Sequence, residues 1–375
     1  MPSSRTLSTV HLSTARSWRG GENQILLLAR GLVGRGHRAL VVAPKGAPLL
    51  ERAAEAGVPV RVLGIRGGLD APGIWRLGRL LSEVRPDILH LHDGHAVLPG
   101  QLAGRLRDAM GVVAHRRTSF QVRGGWKYGG RVDRVIAISS AVREGLLAAG
   151  VPASRIAVVY SGLEFPEASA RGGGPAQALR RELGLSEDAV LFAHAAALTR
   201  EKRQMDLLSA MRLCVAEGMP LHLAVAGTGE LEAELQAAAG GELAGRVHWL
   251  GFRRDLGALW AAADAAVFCS EAEGLCTALI EAQGAGLPAV ATRAGGMAEV
   301  VEEGETGLLV PVGEVRALAA AMLRLAKEAE WRRRLGTSAA RRVRAIFSAE
   351  AMVDGILRVY REVLKIRMKE AAEQA

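Results

Sequence analysis

The chain is short of several things whose absence narrows what it can do. Three cysteines in 375 residues, Cys214, Cys269 and Cys276, form neither a C-x-x-C pair nor a metal-ligand spacing. They exclude a disulfide framework and read as small core residues of a protein in a reducing compartment. Aromatic residues are 4% of the composition and no aromatic-rich basic motif occurs, which argues against nucleic acid as a partner. No run is long and apolar enough for a bilayer span, because the longest, LGALWAAADAAVF, is broken by Asp264. The opening MPSSRTLSTVHLSTARSW holds no apolar stretch of signal-peptide length, so a cytoplasmic location is expected. No D-x-D occurs anywhere. The full G-x-G-x-x-G is also missing, since Gly227-x-Gly229 is followed by Glu232; that disfavours a nicotinamide-dependent oxidoreductase.

What is present is a globular composition, 49% hydrophobic and 23% charged, in a chain too long for one ordinary core. The net charge of +9 is uneven. Residues 1–165 hold 23 Lys+Arg against 11 Asp+Glu, and the remainder 25 against 28. A basic first half suits contact with acidic lipid or a phosphorylated acceptor. Because 42 of the 48 basic residues are arginine, compositional bias is the competing reading.

Short apolar runs alternate with amphipathic stretches, the pattern of parallel α/β units. In the first half the strands are expected in STVHLS, RALVVAP, PVRVLG, DILHLH, GVVAHR, RVIAIS and IAVVYS. GENQILLLARGLVGRG and PGIWRLGRLLSEV read as helices, the first stopped by Gly34 or Gly36. EASARGGGPAQALRRELGLSEDAV reads as linker plus a helical lead-in. The alternation then restarts with AVLFAHAA, a helix over 202–217, LHLAVAG, a helix over 229–238, RVHWLG, AAVFCS, PAVAT and GLLVP, and closes in long helices from about 314. The expected architecture is two doubly wound Rossmann-like domains facing a cleft: residues 1–165, a linker over 166–187, and 188–350. A final helix, 351–375, is expected to cross back to the first domain. In such sheets ligands bind beyond the carboxyl ends of the strands.

The densest chemistry lies in SEAEGLCTALIEAQGAGLPAVAT. Ser270 ends an apolar run, EAEGLC is a loop, and TALIEAQ has helical periodicity. The first-turn amides near Cys276, Thr277 and Ala278 lack intrahelical partners and, with the helix dipole, suit a diphosphate. Gly274 lets backbone approach that anion. Glu281, one turn into the helix, can accept two hydrogen bonds from a ribose diol, while Glu273 reaches a group beyond the diphosphate. As an isolated pair these glutamates would read as surface charge; between an apolar run and a glycine-rich helix end they describe a nucleoside diphosphate with a further substituent.

The stretch resembles the E-x7-E signature of the family 4 (group 1) retaining glycosyltransferases of GT-B fold. The likeness covers nearly the whole chain: GGENQILLLARGLVGRGHRALVVAP, RPDILHLHDGHA and DRVIAISSAVREGLLAAGVPASRIAVVYSGLE in the first half; LTREKRQMDLLSAM, LAVAGTGELEAEL, GFRRDLGALWAAADAAVFCSEAEG and RAGGMAEVVEEGETGLLVPVGE in the second. The resemblance implies that Glu281 holds the ribose, Glu273 contacts the donor sugar and Lys202 neutralises the donor phosphates. Gly20 and Gly21 would let the N-terminal loop approach those phosphates, His92 would line the sugar site, and Glu299 would lie near the ribose or base. Gly274, Leu275, Cys276 and Thr277 would present the anion-binding amides. One departure bears on charge: Ala197 stands where the family has an arginine, with Arg200 or Arg203 as substitutes.

Other residues carry plainer readings beside functional ones. His90 and His92 share a strand face, so HLHDGH could hold a metal cluster, though the resembling family needs none and no metal or other cofactor is expected. His115, Arg116 and Arg117 end a strand and suit either an acidic acceptor or solvation. Asp255 reads as a helix cap and Asp264 as a capping or buried structural group. The expectation is a metal-independent, nucleotide-sugar-dependent transferase acting on a saccharide or lipid-linked acceptor in a cell-envelope pathway, with peripheral contact to anionic membrane and no nucleic-acid partner. Two alternatives remain open at this point: a nucleotide-sugar epimerase of the same architecture, and a non-catalytic binding protein that keeps the fold.

Overall fold

Each apolar run of the sequence becomes a strand, and each amphipathic stretch a helix that covers it. The computed structural model describes residues 5–105, 110–118, 125–165 and 173–374. The chain divides into two units, Met1–Gly162 with Ala349–Ala375, and Leu163–Ser348.

The first unit is a seven-stranded parallel sheet built from β1 (Ser8–Leu12), β2 (Arg38–Ala43), β3 (Val60–Val62), β4 (Ile88–Leu91), β5 (Gly111–Arg116), β6 (Arg134–Ala137) and β7 (Ile156–Val158), in the order β3-β2-β1-β4-β5-β6-β7. β1 and β4 are buried along their whole length, as expected for a parallel sheet covered on both faces. The strand order reverses between them, at the position where doubly wound sheets open a crevice at their carboxyl ends. The helix Gly20–Gly34 leaves β1 there. It ends where Gly36 takes a left-handed φ of 78°, returning its N–H to Val33 O at 2.9 Å.

The C-terminal helix Ala349–Gln374 belongs to this first unit. Its Val353 packs where Gly31 has no side chain and its Val363 where Gly111 has none; a Cβ at either glycine would come within 2.6 and 2.4 Å of those valines. Arg367 pairs with Asp133, and Tyr360 is fully buried with its hydroxyl 2.6 Å from His90 Nδ1.

The second unit is a six-stranded parallel sheet of β8 (Val190–Ala195), β9 (Leu221–Ala226), β10 (Val247–Trp249), β11 (Ala265–Phe268), β12 (Ala289–Thr292) and β13 (Gly307–Val310), ordered β10-β9-β8-β11-β12-β13. Here the reversal falls between β8 and β11. All thirteen strands of the described residues lie in the runs named from the sequence. The glycine-rich stretch expected as a linker falls partly outside the described residues, at 166–172. The part that follows forms the helix Gly174–Glu182, fastened to the second unit by Arg180, which donates to Asp264 Oδ2 at 3.2 Å and to Ala189 O at 2.6 Å. Asp264 also accepts from Leu191 N at 2.9 Å, so its role is structural. Asp255 Oδ1 accepts from Gly257 N at 2.8 Å where the helix Gly257–Ala262 begins. Among the described residues, no helix is long and apolar enough to cross a membrane.

Candidate functional site

In the second unit the loops after β8 and β11 leave the sheet side by side, because those strands flank the reversal. The β8 loop is fixed first. Ala196 N and Leu198 N donate to Ala226 O and Thr228 O, and Gly227 and Gly229 ride so close that a Cβ would sit 1.8 and 2.3 Å from Ala196 O and Leu198 O. The G-x-G of this segment is thus required by backbone approach rather than by a dinucleotide. A short 3-10 turn, Arg200–Lys202, then brings Lys202 Nζ to 2.5 Å from Glu273 Oε1, with both side chains largely buried. Ser270 Oγ donates to the same oxygen at 3.0 Å, and Thr292 Oγ1 donates to Ser270 O at 2.6 Å. Glu271 N donates to Glu201 O, so the two loops are joined through backbone as well.

A third loop completes the clamp. Gly295, at φ 49°, and Gly296 lie against the backbone of Glu273 and Gly274, where a Cβ would approach carbonyl oxygens at 2.0 and 2.3 Å; Gly296 N donates to Glu273 O at 3.1 Å. From sequence Ser270 reads only as the end of an apolar run, and the Gly295–Gly296 pair carries no role of its own. The available signal was the serine three residues before the glutamate and the doubled glycine after β12.

The helix Thr277–Gly284 begins four residues beyond Glu273. Its N-cap, Cys276, is buried and supplies no side-chain cap, so first-turn amides are not satisfied by a capping side chain. Gly274 and Leu275 are buried and Thr277 is exposed. Glu281, one turn along, borders a cavity of about 410 Å³ walled by Phe165, Leu256 and Trp260 and rimmed by Arg254 and Asp255. Burial pushes the Glu281 carboxyl above the usual glutamate range, an effect the indole N–H of Trp260 opposes. That N–H is otherwise buried with no regular hydrogen bond.

Three named candidates fall elsewhere. Arg200 is exposed and lines a separate hollow with Asp206 and Glu234. Arg203 is taken by Asp206 at 2.7 Å and Glu271 at 3.4 Å, so it does not replace the arginine missing at Ala197. Glu299 is part-buried on the short helix Met297–Val300, its carbonyl held by Arg342, and it does not border the cavity beside Glu281.

In the first unit, parallel register stacks histidines on one face of the sheet. His11 is the direct partner of His90, while His92 and His115 follow two residues beyond positions that are themselves neighbours. The four rings lie 4.0–6.1 Å apart in the close pairs and are all at least 95% buried. Arg117 sets their protons. A guanidinium only donates, so His92 Nδ1 (3.1 Å) and His115 Nδ1 (3.2 Å) must accept from it. His92 then carries its proton on Nε2 and donates to His11 Nδ1 at 3.0 Å. His11 donates onward to Thr9 Oγ1 at 2.9 Å, and Thr9 to Arg38 O at 3.1 Å. Burial, with Arg117 beside it, depresses His11 to about 3 and holds His90, His92 and His115 well below the ordinary imidazole range.

The ligand atoms of His11, His90 and His92 lie within 4.8 Å of one another. As the hydrogen bonds run, the lone pair of His11 Nδ1 and the Nε2 proton of His92 are spent on each other, and the nearest charge is the Arg117 guanidinium. Arg117 also holds His92 O at 2.9 Å, and Asp93 caps the helix Gly94–Gly104 while accepting from Thr14 N at 2.7 Å. Gly20 opens its helix with no neighbour within 4 Å of a built Cβ, and Gly21 faces Arg117 Cδ at 3.9 Å. Arg116 donates to Thr118 O at 3.1 Å at the strand end.

Two family models match this chain. Residues 18–165 match Glycosyltransferase Family 4 and residues 176–342 match Glycosyl transferases group 1. The phosphatidyl-myo-inositol mannosyltransferase of Mycobacterium leprae is 30% identical over 366 residues, 92% of this chain and 93% of that protein. The chain belongs to the group 1, family 4 glycosyltransferases. The chain is also similar to the N-acetyl-alpha-D-glucosaminyl L-malate synthase of Bacillus anthracis, 31% identical over 187 residues, a match that spans 50% of this chain and about half the length of that protein, 49%. Among solved structures, Anabaena Alr3699/HepE in complex with UDP has a TM-score of 0.83 at 22% identity, covering 95% of this chain and 100% of that one, a likeness of fold.

Proposed function

We propose that this family member is a retaining, metal-independent glycosyltransferase. It moves a sugar from a nucleoside diphosphate sugar to a hydroxyl of a saccharide or lipid-linked acceptor, in cell-envelope glycan synthesis at the cytoplasmic face of a membrane. One observation carries the reading: Lys202, Glu273 and the uncapped start of the helix Thr277–Gly284 converge at the sheet's switch point, with Glu281 a turn further along beside an aromatic-walled cavity.

The assignment of roles follows from charge. The leaving diphosphate is met by the Lys202 ammonium and by the amides of Gly274, Leu275, Cys276 and Thr277 at a helix start. Ala197 leaves Lys202 as the main side-chain cation of that loop. The nucleoside lies toward the cavity, with the Glu281 carboxylate accepting from the ribose diol. Glu273 orients the donor sugar and stabilises positive character at its reacting carbon, without forming a covalent bond to it. The carbon–phosphate oxygen bond breaks and the bond to the acceptor oxygen forms on the same face, while the departing phosphate oxygen takes the acceptor's proton. In the first unit, the strand ends carrying His92, His115, Arg116 and Arg117, with Gly20 and Gly21, form the proposed substrate-facing edge. His92 acts through its place in the hydrogen-bonded row rather than as a free acid or base. The names of the similar proteins support a nucleotide donor and, in the M. leprae relative, a lipid-linked acceptor.

The test is a panel of nucleotide sugars, read by thermal shift and by release of nucleoside diphosphate with and without lipid extract. A transferase releases nucleoside diphosphate when an acceptor is supplied; an epimerase converts donor without one; a binding protein shifts its melting point and releases nothing. Glu281→Ala is expected chiefly to weaken donor binding and Glu273→Ala chiefly to slow the single-turnover rate. Neither effect appearing would contradict the assignment.

A further inference from the structure

The pairing of β11 with β12 stops at Phe268 opposite Ala291. From there the chain leaves the sheet and forms the loop that carries Glu273. Backbone no longer guides it, because Thr292 O accepts from Ala294 N at 2.8 Å, within its own loop. A side chain extends the contact instead. Thr292 Oγ1 donates to Ser270 O at 2.6 Å, and both residues are buried. The threonine is a rigid post, since β12 stays paired with β13 as far as Thr292 opposite Val310, and Arg293 N donates to Val310 O at 2.8 Å.

Ser270 passes that order to Glu273. Its hydroxyl donates to Oε1 at 3.0 Å, the same oxygen that takes the Lys202 ammonium, and Oε2 has no hydrogen-bond partner among the described residues. A donor acts differently on the two tethers. A diphosphate carries more negative charge than one carboxylate, so beside Lys202 it draws the ammonium away from Glu273. A neutral hydroxyl is not pulled by that charge. Ser270 is therefore the tether that persists in the loaded site. Its reach to Oε1 depends on where its backbone stands, because a serine side chain has only three staggered positions. Glu271 N and Glu273 O are held separately, by Glu201 O and Gly296 N, so losing the Thr292 hydroxyl would shift Ser270 without freeing the loop. We infer that Thr292 is a positioning residue for sugar transfer: through Ser270 it keeps the Glu273 carboxylate aimed once Lys202 has turned to the donor diphosphate. This rests on the roles proposed above for Lys202 and Glu273.

The experiment uses the full chain with UDP-glucose, UDP-N-acetylglucosamine, GDP-mannose and ADP-glucose as probes, each with lipid extract. It reads donor affinity by titration and nucleoside diphosphate release in a single turnover. Thr292→Val keeps the shape and removes the hydroxyl; it is expected to slow the single turnover about 10-fold and to leave donor affinity within about twofold. Ser270→Ala is expected to slow it about 30-fold. The double variant should be no slower than Ser270→Ala alone, because both changes break one chain of contacts. Thr292→Ser, which returns a hydroxyl but not the methyl, should recover most of the loss; a role in packing alone would show no such recovery. The inference is overturned by a Thr292→Val rate equal to the parent's, by losses that multiply in the double variant, or by a loss confined to donor affinity. If Glu273→Ala slows turnover while Thr292→Val does not, this inference falls and the transferase reading stands. Release from none of the four probes by the parent chain overturns both.

Discussion

Mild acid should destabilise the first unit far more than the second, and the histidine row gives the size of the effect. His11, His90, His92 and His115 are enclosed and neutral when folded, with pKa values depressed by burial and by Arg117. In the unfolded chain each titrates near its ordinary value of about 6.5. Below that value the unfolded state binds protons that the folded state refuses, so stability falls as pH falls. Between pH 7.5 and 5.5 each such histidine costs about 1.4 kcal/mol, and the four together about 5 kcal/mol, comparable with the whole stability of a domain. The second unit encloses one histidine fully, His194, lowered to about 4, and half-buries His222 and His248, so it should lose about 1–3 kcal/mol. The assay is urea unfolding at the two pH values, followed in reporter variants that keep only Trp18, in the first unit, or only Trp249, in the second. The Trp18 transition should move down by about 2 M urea, given a typical denaturant slope. A Trp18 midpoint that stays within about 0.5 M, or an equal shift in both reporters, would refute the neutral, enclosed row.

Two further outcomes follow from the second unit. Because burial raises the Glu281 carboxyl and the Trp260 N–H opposes that shift, donor affinity should fall as pH drops through a range above the usual glutamate values. Trp260→Phe should move that midpoint to still higher pH, which a pH series of donor KM would read. Gly296→Ala puts a methyl 2.3 Å from Gly274 O, a backbone atom that cannot swing aside; a loss of about 1–3 kcal/mol is expected, with donor binding impaired, as measured by melting and titration.

The sequence by itself settled the alternation of strands and helices, and hence two doubly wound sheets, because β-branched runs and 3.6-residue periodicity are local signals. It also marked Glu273 and Glu281, since acids set beside glycines between a strand end and a helix stand out against apolar surroundings, while Lys202 is marked by the family resemblance of LTREKRQMDLLSAM. Tertiary structure alone decided which of the marked groups meet. Lys202 and Glu273 are 71 residues apart and touch only because β8 and β11 are neighbours at the reversal of strand order. The same local pattern could not tell that Arg203 is spent on Asp206, that Gly227 and Gly229 serve backbone approach, or that His92 donates its hydrogen bond inward to His11. Those outcomes depend on strand register and on atoms brought in from distant loops, and a hydrogen bond between them has no counterpart in the order of residues along the chain.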